Sequence, residues 1–200
     1  MGNDETSAAK GETNVNIDQG EGDDTAVVCC TIFCFHGDTK VYLLENKKVI
    51  SKSISEIKKG DIVFTFNEAE LTQTKIKNNI KNEGSFNFYE IKCKNEKSEI
   101  KTICLTWNHT MIVYDKSKRE IKFKLAKEIK VGDNFRGKNG FFEVFEINNK
   151  TMNDCYELTT EKGTVLANDI LVSTIYLNNN LNKNYQKIID SVKIRVDALN

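Results

Sequence analysis

Short apolar runs, several of which alternate with polar residues, fill most of the chain after residue 38. They are rich in Val, Ile, Phe, Tyr and Thr, and turn residues such as Glu83-Gly84 separate them. β-Branched and aromatic residues favour strands, and alternation puts one strand face on a core. Many short strands with few helices predict an all-β domain. The predicted strands are Lys40–Leu44, Ile62–Phe66, Phe88–Cys93, Ile100–Leu105, Met111–Tyr114, Glu120–Phe123, Phe141–Ile147, Cys155–Thr159, Thr164–Ala167 and Ile170–Val172.

The two ends of the chain carry different patterns. Residues 1–25 contain seven acidic residues and one basic residue, a net charge of −6, with almost no large apolar side chain. Such a stretch cannot bury enough surface to offset its ordering entropy, so we predict a disordered N-terminal segment within 1–33. Apolar residues at three- and four-residue steps predict one amphipathic helix within 177–200. The predicted domain is therefore 34–176.

Charge and apolar run length limit the partners and the location. The formal net charge of the 200-residue chain is zero, so we expect no nucleic-acid partner. The apolar run Ala26–Phe35 is too short for a transmembrane helix, which needs about 20 residues, and acidic residues precede it, unlike in a signal peptide. We therefore predict a cytoplasmic monomer with reduced cysteines. Gly2 and Thr6 fit a loose N-myristoylation pattern, which leaves weak membrane association through Gly2 as an alternative.

A six-residue pattern occurs twice in the predicted β region. Glu-Ile-Lys-x-Gly-Asp covers Glu56–Asp61 and again Glu128–Asp133, 72 residues later, and a strand-like run follows each copy. Chance recurrence of a turn in a Lys-rich chain is the simpler alternative. Duplication explains the matching downstream strands better, and two copies of one β unit predict a pseudo-two-fold, intertwined β domain with the Gly-Asp pair as its turn.

Three further motifs carry residues suited to chemistry. Cys34–Val41 places a cysteine before a turn and a strand, Thr106–His109 ends another strand, and Lys162–Ser173 lies near the end of the β region. In this order and spacing, and with the duplication, they resemble the Hedgehog/intein (Hint) superfamily of self-processing domains. The resemblance covers about residues 34–176 and implies an all-β Hint-type fold.

The resemblance also implies roles for three residues. Cys34 would be the nucleophile, attacking the preceding carbonyl of Phe33 to turn the amide into a thioester, since a neighbouring thiolate needs no bimolecular encounter. His109 would be the acid/base that protonates the departing nitrogen, for which a pKa near 7 suits best. Thr106 would be the supporting hydrogen-bond donor. This chemistry needs no metal and no organic cofactor.

The end of the domain indicates which branch of chemistry to expect. Splicing inteins end in His-Asn before Cys, Ser or Thr, whereas residues 172–175 read Val-Ser-Thr-Ile, so we expect no splicing. Hedgehog-type domains often carry a Cys where Thr174 stands. They also use an upstream Asp to activate a sterol, but no Asp occurs between Asp61 and Thr106, and only Glu83 could substitute. We therefore expect residues 1–33 to leave as the substrate, with water, a thiol or an amine as acceptor.

Two other functions are alternatives, and several residues have purely structural interpretations. The fold could be a degenerate Hint domain that binds or regulates, or it could transfer a sterol as Hedgehog-type domains do. A solvated loop position is the simplest interpretation of His36, with an inhibitory Cys34–His36 zinc contact as the alternative. We expect core or packing positions for the remaining cysteines of the β region and for Trp107, namely Cys93, Cys104, Cys155 and Trp107.

Overall fold

The computed structural model describes residues 33–67, 70–118 and 120–175. Its elements are strands joined by tight turns, together with two single 3₁₀ turns, and the all-β prediction is confirmed within these ranges. In chain order they are β1 (Lys40–Glu45), β2 (Lys48–Ser53), the first 3₁₀ turn (Ile54–Glu56), β3 (Ile62–Asn67), β4 (Glu70–Lys94), β5 (Ile100–Thr106), β6 (Thr110–Asp115), β7 (Glu120–Leu125), the second 3₁₀ turn (Ala126–Glu128), β8 (Asn134–Gly137), β9 (Gly140–Thr160), β10 (Thr164–Ala167) and β11 (Ile170–Ser173).

The predicted runs all overlap observed strands, but two strands are much longer than predicted. β4 extends over 25 residues and β9 over 21, and β9 joins two predicted runs into one strand. Their middle parts are largely polar and exposed on both faces, so they lack the alternation that marks a half-buried strand. The turn predicted at Glu83-Gly84 is wrong, because these residues lie inside β4. The short, mostly polar β2 and β8 were not predicted at all.

The long strands cross from one half of the domain to the other. The sheet path is β10-β1-β3-β4-β9-β8-β11-β6-β7, with β2 paired to β1 and β5 paired to β4. β4 pairs with β3 near its start and with β5 near its end, and it lies antiparallel to β9 along most of its length. β9 pairs with β8 at its start. The β4–β9 ribbon therefore intertwines the two halves.

The repeated sequence pattern forms the same turn in both halves. Gly60 has φ +96° and Gly132 has φ +93°, a backbone region that favours glycine. The Gly60 N–H donates to the Ile76 carbonyl and the Gly132 N–H to the Val144 carbonyl, both at 2.9 Å. A 3₁₀ turn ends at the first residue of each copy, a glutamate whose side chain accepts from the backbone N–H three residues earlier. These matching turns support the predicted duplication and the pseudo-two-fold fold.

The duplication also relates two four-residue loops, the first loop (36–39) and the second loop (106–109). In each, the N–H of the fourth residue donates to the carbonyl of the first residue, at 3.1 Å in the first loop and 3.0 Å in the second. The carbonyl of the fourth residue then accepts from the start of the following 3₁₀ turn, at 2.8 Å in both. Thr39 and His109 therefore occupy equivalent backbone positions.

The same relation pairs Cys34 with Cys104. The Thr106 N–H donates to the Cys34 carbonyl at 3.1 Å, and the His36 N–H donates to the Cys104 carbonyl at 3.2 Å. Each cysteine thus lies two residues before its own loop and is tied to the other loop.

Apolar residues from both halves share one core. Its fully buried members include Phe35, Val41, Ile54, Val63, Ile91, Ile103, Leu105, Met111, Phe135, Phe142, Leu158, Val165 and Val172. Cys34 belongs to a separate small cluster with Phe86, Phe88 and Cys155. No helix within the described ranges could cross a membrane. The disorder predicted for the N-terminal segment and the helix predicted within 177–200 fall outside the described residues.

Candidate active site

A short extended segment fixes the position of Cys34. The next residue, Phe35, forms β-bridges to Leu105 of β5 and Tyr156 of β9, and its N–H and carbonyl exchange 2.9 Å hydrogen bonds with Tyr156. The Phe35 side chain is fully buried in the core, and Cys34 is fully buried as well. Burial of one aromatic residue between two strands therefore holds the thiol of Cys34 in place.

The Thr106 side chain is hydrogen-bonded to the amide N–H of the Phe33–Cys34 peptide bond. Its Oγ1 accepts from the Cys34 N–H at 2.9 Å and donates to Asn108 Oδ1 at 3.0 Å. A hydroxyl has one proton. Thr106 therefore accepts a hydrogen bond from Cys34 and donates its own proton to Asn108. Thr106 therefore differs from the donor that the resemblance implied, and Asn108, which had no predicted role, takes part in the site. Asn108 is buried and orients the hydroxyl.

His109 lies beside the same peptide bond. Its ring contacts the Phe33 ring edge-on, with centroids 6.1 Å apart, and the Phe35 ring at 4.5 Å. Its Nε2 is 2.9 Å from the Ser173 carbonyl oxygen. A carbonyl can only accept, so Nε2 carries the ring proton and Nδ1 holds a lone pair. Nδ1 is buried and makes no well-formed hydrogen bond within the described part of the chain.

Burial changes the acid strength of His109. Removal from water lowers its pKa to about 4, against the opposing effect of the nearby backbone of Ser173 and Cys34. The ring is therefore neutral at pH 7. This differs from the pKa near 7 expected from the sequence, because the sequence pattern does not reveal that the ring is completely enclosed.

Asn82, rather than Glu83, reaches the sulfur. The Asn82 Nδ2 atom is 3.8 Å from Cys34 Sγ. The Glu83 side chain is 80% exposed and forms an ion pair with Lys81 at 3.1 Å. The structure does not bring the proposed sterol-activating carboxylate of Glu83 to the site. Asn82 was given no role from the sequence, because its approach to the sulfur depends on the fold.

Thr174, at the C-terminal side of the site, is held in a buried hydroxyl network. Its Oγ1 lies 3.0 Å from Thr160 Oγ1 and accepts from the Thr160 N–H at 3.2 Å. Its own N–H donates to the Gly163 carbonyl at 2.8 Å.

Asn168 lies at the other end of the β10–β11 hairpin, where its Oδ1 accepts from the Lys40 N–H at 2.7 Å. No side-chain amide therefore stands at the junction after Ser173.

The other residues singled out in the sequence lie around this centre. His36 is partly exposed, and its ring is edge-on to Phe88 with centroids 5.7 Å apart. Trp107 is partly buried beneath Lys127, whose Nζ is 4.6 Å from the ring centroid. Across the described ranges, no group of three or more His, Cys, Asp or Glu residues is placed to hold a metal ion. No third ligand of that kind from the described part of the chain therefore joins Cys34 and His36.

The other cysteines of the described ranges, Cys93, Cys104 and Cys155, form no disulfide and differ in burial. Cys93 and Cys155 are fully buried, and Cys104 is partly buried. Burial raises the pKa of Cys93 to about 12 and that of Cys104 to about 11, so both are protonated at neutral pH. These two thiols are therefore poor nucleophiles in the folded protein.

Comparison with known proteins agrees with this architecture. The Hint module family matches residues 22–183, most of the chain, and the protein belongs to that family. A DnaB intein from Synechocystis sp. PCC 6803 is 20% identical with a TM-score of 0.56, and the match covers 70% of this chain and 97% of that one. An intein from a hyperthermophile is 17% identical with a TM-score of 0.59, covering 70% and 99%. A bacterial intein-like domain from Clostridium thermocellum is 19% identical with a TM-score of 0.52, covering 70% and 97%. No curated protein matches the sequence.

Proposed function

We propose that this protein cuts its own backbone between Phe33 and Cys34 through an N–S acyl shift. Membership of the Hint family supports self-processing in general. The observation that carries the finer proposal is the set of contacts around one peptide bond: the Cys34 N–H donates to Thr106 at 2.9 Å, and the His109 ring lies against the rings of Phe33 and Phe35. An ordinary core cysteine needs neither contact.

The proton path follows from the tautomer of His109. The Cys34 thiol gives its proton to the lone pair on Nδ1, and the sulfur attacks the Phe33 carbonyl carbon. The resulting imidazolium gives that proton to the Cys34 nitrogen, the C–N bond breaks, and a thioester with a free amine remains. A pKa of about 4 makes this imidazolium a strong acid for the departing nitrogen, and Thr106 fixes the nitrogen that receives the proton.

Resolution of the thioester would follow without splicing. Thr174 has no side-chain amide to cyclise and is hydrogen-bonded to Thr160, so we expect the C-terminal side to remain uncut. Glu83 faces solvent, which argues against base-assisted attack by a sterol hydroxyl. Water, a small thiol or an amine is then the acceptor, and thiols exchange well when their pKa is near ambient pH.

Partners and location are proposed on the same chemical grounds. The mechanism consumes a free thiol, and the described cysteines are free, which fits a reducing, cytoplasmic environment. The first 33 residues are the substrate in cis, a monomer suffices, and the site needs no cofactor. Myristoylation at Gly2 would make those residues a membrane-attached product; myristate labelling tests this.

Mass spectrometry of the freshly purified protein tests the proposed cleavage. We expect fragments 1–33 and 34–200, formed faster with dithiothreitol or hydroxylamine, and no sterol ester when cholesterol is added. An intact 22.8 kDa species that is stable to added thiol would contradict the proposal and favour a binding module. A sterol ester on Phe33 would instead support Hedgehog-like transfer and direct attention to Glu83.

A further inference from the structure

The β4–β9 ribbon is interrupted next to Cys34. Asn82 pairs with Cys155 and Ser85 pairs with Asn153, so two residues of β4 stand opposite one residue of β9. Within this bulge Gly84 has φ +134°, and on the partner strand Asp154 has φ +58°. Bulges of this kind bend a strand and re-aim a side chain, and they are frequent beside active sites.

Ion pairs hold the bulge in shape. Lys81 lies 3.1 Å from Glu83 on its own strand and 3.1 Å from Asp154 on the opposite strand. Left-handed backbone at Asp154 is tolerated because a short polar side chain suits it. Lys81 therefore pairs with acidic side chains of both strands at the bulge.

The bulge begins at the residue that touches the reacting sulfur. Asn82 Nδ2 lies 3.8 Å from Cys34 Sγ and 3.5 Å from the Ile80 carbonyl oxygen. The Ile80 carbonyl can only accept a hydrogen bond, so the amide must present its NH₂ group on this side. The second N–H of the same group is then available to the sulfur of Cys34.

We propose that the bulge aims Asn82 at Cys34 and that Asn82 is a further catalytic residue, which donates a hydrogen bond to the sulfur whenever it is a thiolate. This inference rests on the proposed self-cleavage. Sulfur becomes negative twice: first when the Cys34 thiol loses its proton to His109, and again when the acceptor displaces it from the thioester. A hydrogen bond to an ionised acceptor is stronger than one to a neutral acceptor, so Asn82 would favour both steps.

The amide also restricts the acceptor. Asn82 can donate but cannot remove a proton from an incoming nucleophile at neutral pH. An acceptor that enters beside it must arrive as a thiolate or an unprotonated amine, so the proposed acceptors, which are water, thiols and amines, narrow to the last two classes. An alcohol would need a base that Asn82 does not provide.

Replacement of Asn82 by an isosteric carboxylate tests the hydrogen bond without changing the packing volume. We expect Asn82→Asp and Asn82→Ala to slow release of residues 1–33 by about 10- to 100-fold, the scale of a hydrogen bond to a charged group. Asn87→Asp is the matched control, because Asn87 lies on the same strand, is exposed, and accepts from Thr151 at 3.1 Å. Equal rates in Asn82→Asp and Asn87→Asp would overturn the proposal.

A second measurement does not depend on cleavage. In His109→Ala protein, the pKa of the Cys34 thiol is measured by NMR titration of cysteine labelled with carbon-13 at Cβ, with and without Asn82→Asp. This readout does not require a reagent to reach the buried sulfur. We expect Asn82→Asp to raise the pKa of the Cys34 thiol by about 1, because the thiolate loses its donor and gains a neighbouring negative charge. An unchanged pKa would overturn the role of Asn82 even if the protein cuts itself. A wild-type protein that never cuts would refute the proposed function, while the titration would still decide whether Asn82 binds the thiolate.

Discussion

The first loop and the second loop share one backbone and differ in chemistry. Each is closed by the same hydrogen bond and leads into the same 3₁₀ turn. At the equivalent fourth position the first loop carries Thr39 and the second carries His109, and both are buried. The two loops thus share one backbone geometry, and only the second carries a titratable side chain at its fourth position.

The two equivalent cysteines differ in what precedes them. Cys104 lies within β5, where it pairs with Glu90 of β4, so its preceding peptide bond belongs to a regular strand. Cys34 precedes the short bridge at Phe35, and Thr106 holds its N–H. The preceding peptide bond thus lies within a regular strand at Cys104, whereas at Cys34 its N–H is bound by Thr106, close to the buried ring of His109.

The largest expected effect comes from removing the thiol in one half only. Cys34→Ala should abolish release of residues 1–33, because the proposed shift needs a thiol on the residue that follows Phe33, while the fold remains. Cys104→Ala, the equivalent change in the other half, should cut at the wild-type rate. Intact mass after incubation with dithiothreitol measures both. Cleavage at the same bond in Cys34→Ala would remove Cys34 from the mechanism.

Making the second loop resemble the first should have the next largest effect. His109→Thr installs the residue found at Thr39, and we expect thioester formation to slow by about 10²–10⁴, the usual contribution of a positioned acid/base. His36→Ala removes the other histidine of the chain and should leave the rate unchanged. Hydroxylamine trapping over time measures these rates. Similar losses in both variants would contradict the assignment of His109.

The two loops should also differ in acid sensitivity. The pKa of His109 is about 4 in the folded protein and near 6.5 when unfolded, so the unfolded state binds the proton first as pH falls. The contribution of neutral His109 to the free energy of unfolding is complete above about pH 6.5. This contribution falls progressively, by about 3 kcal/mol, as the pH decreases towards 4. Thr39 does not titrate.

Urea unfolding of Cys34→Ala at pH 7 and pH 4.5 measures this loss without cleavage. Adding His109→Thr should reduce the difference between the two pH values, because Thr cannot take up the proton. If the double variant loses as much stability on acidification as Cys34→Ala, another group is responsible.

The smallest effect is expected for Thr106, whose hydroxyl accepts a hydrogen bond from the Cys34 N–H. Thr106→Ala should slow cleavage by about 10-fold, the worth of one or two hydrogen bonds, and Thr106→Ser should restore most of the rate. Time courses of fragment release compare the two. A larger loss in Thr106→Ala than in His109→Thr would reverse the roles assigned to Thr106 and His109.

The sequence predicted features that depend on residue type and local spacing. The repeated Gly-Asp turns and the strand type follow from such patterns, whereas the grouping of Cys34, Thr106 and His109 followed from the resemblance to the Hint superfamily. The lengths of β4 and β9 did not, because two polar strands stabilise each other through backbone pairing that leaves no apolar signal. Asn82 was missed because its direction depends on a bulge, which is a property of register between distant strands.

The partner of His109 was invisible for a related reason. The Ser173 carbonyl is a backbone atom, and every residue has one, so no sequence pattern marks it. The low pKa of the imidazole likewise reflects enclosure by Phe35 and its neighbours from several strands. Both are outcomes of tertiary packing, which composition and spacing do not specify.

The bond from His109 to Ser173 has a consequence for the order of events during synthesis. Cys34 and Thr106 leave the ribosome long before Ser173, yet the tautomer that leaves Nδ1 free is fixed by the Ser173 carbonyl. A nascent chain that ends before β11 lacks this contact and the last strand over the core. On the proposed mechanism the first 33 residues therefore stay attached until translation has passed Ser173, so the protein releases them only after its own domain is complete.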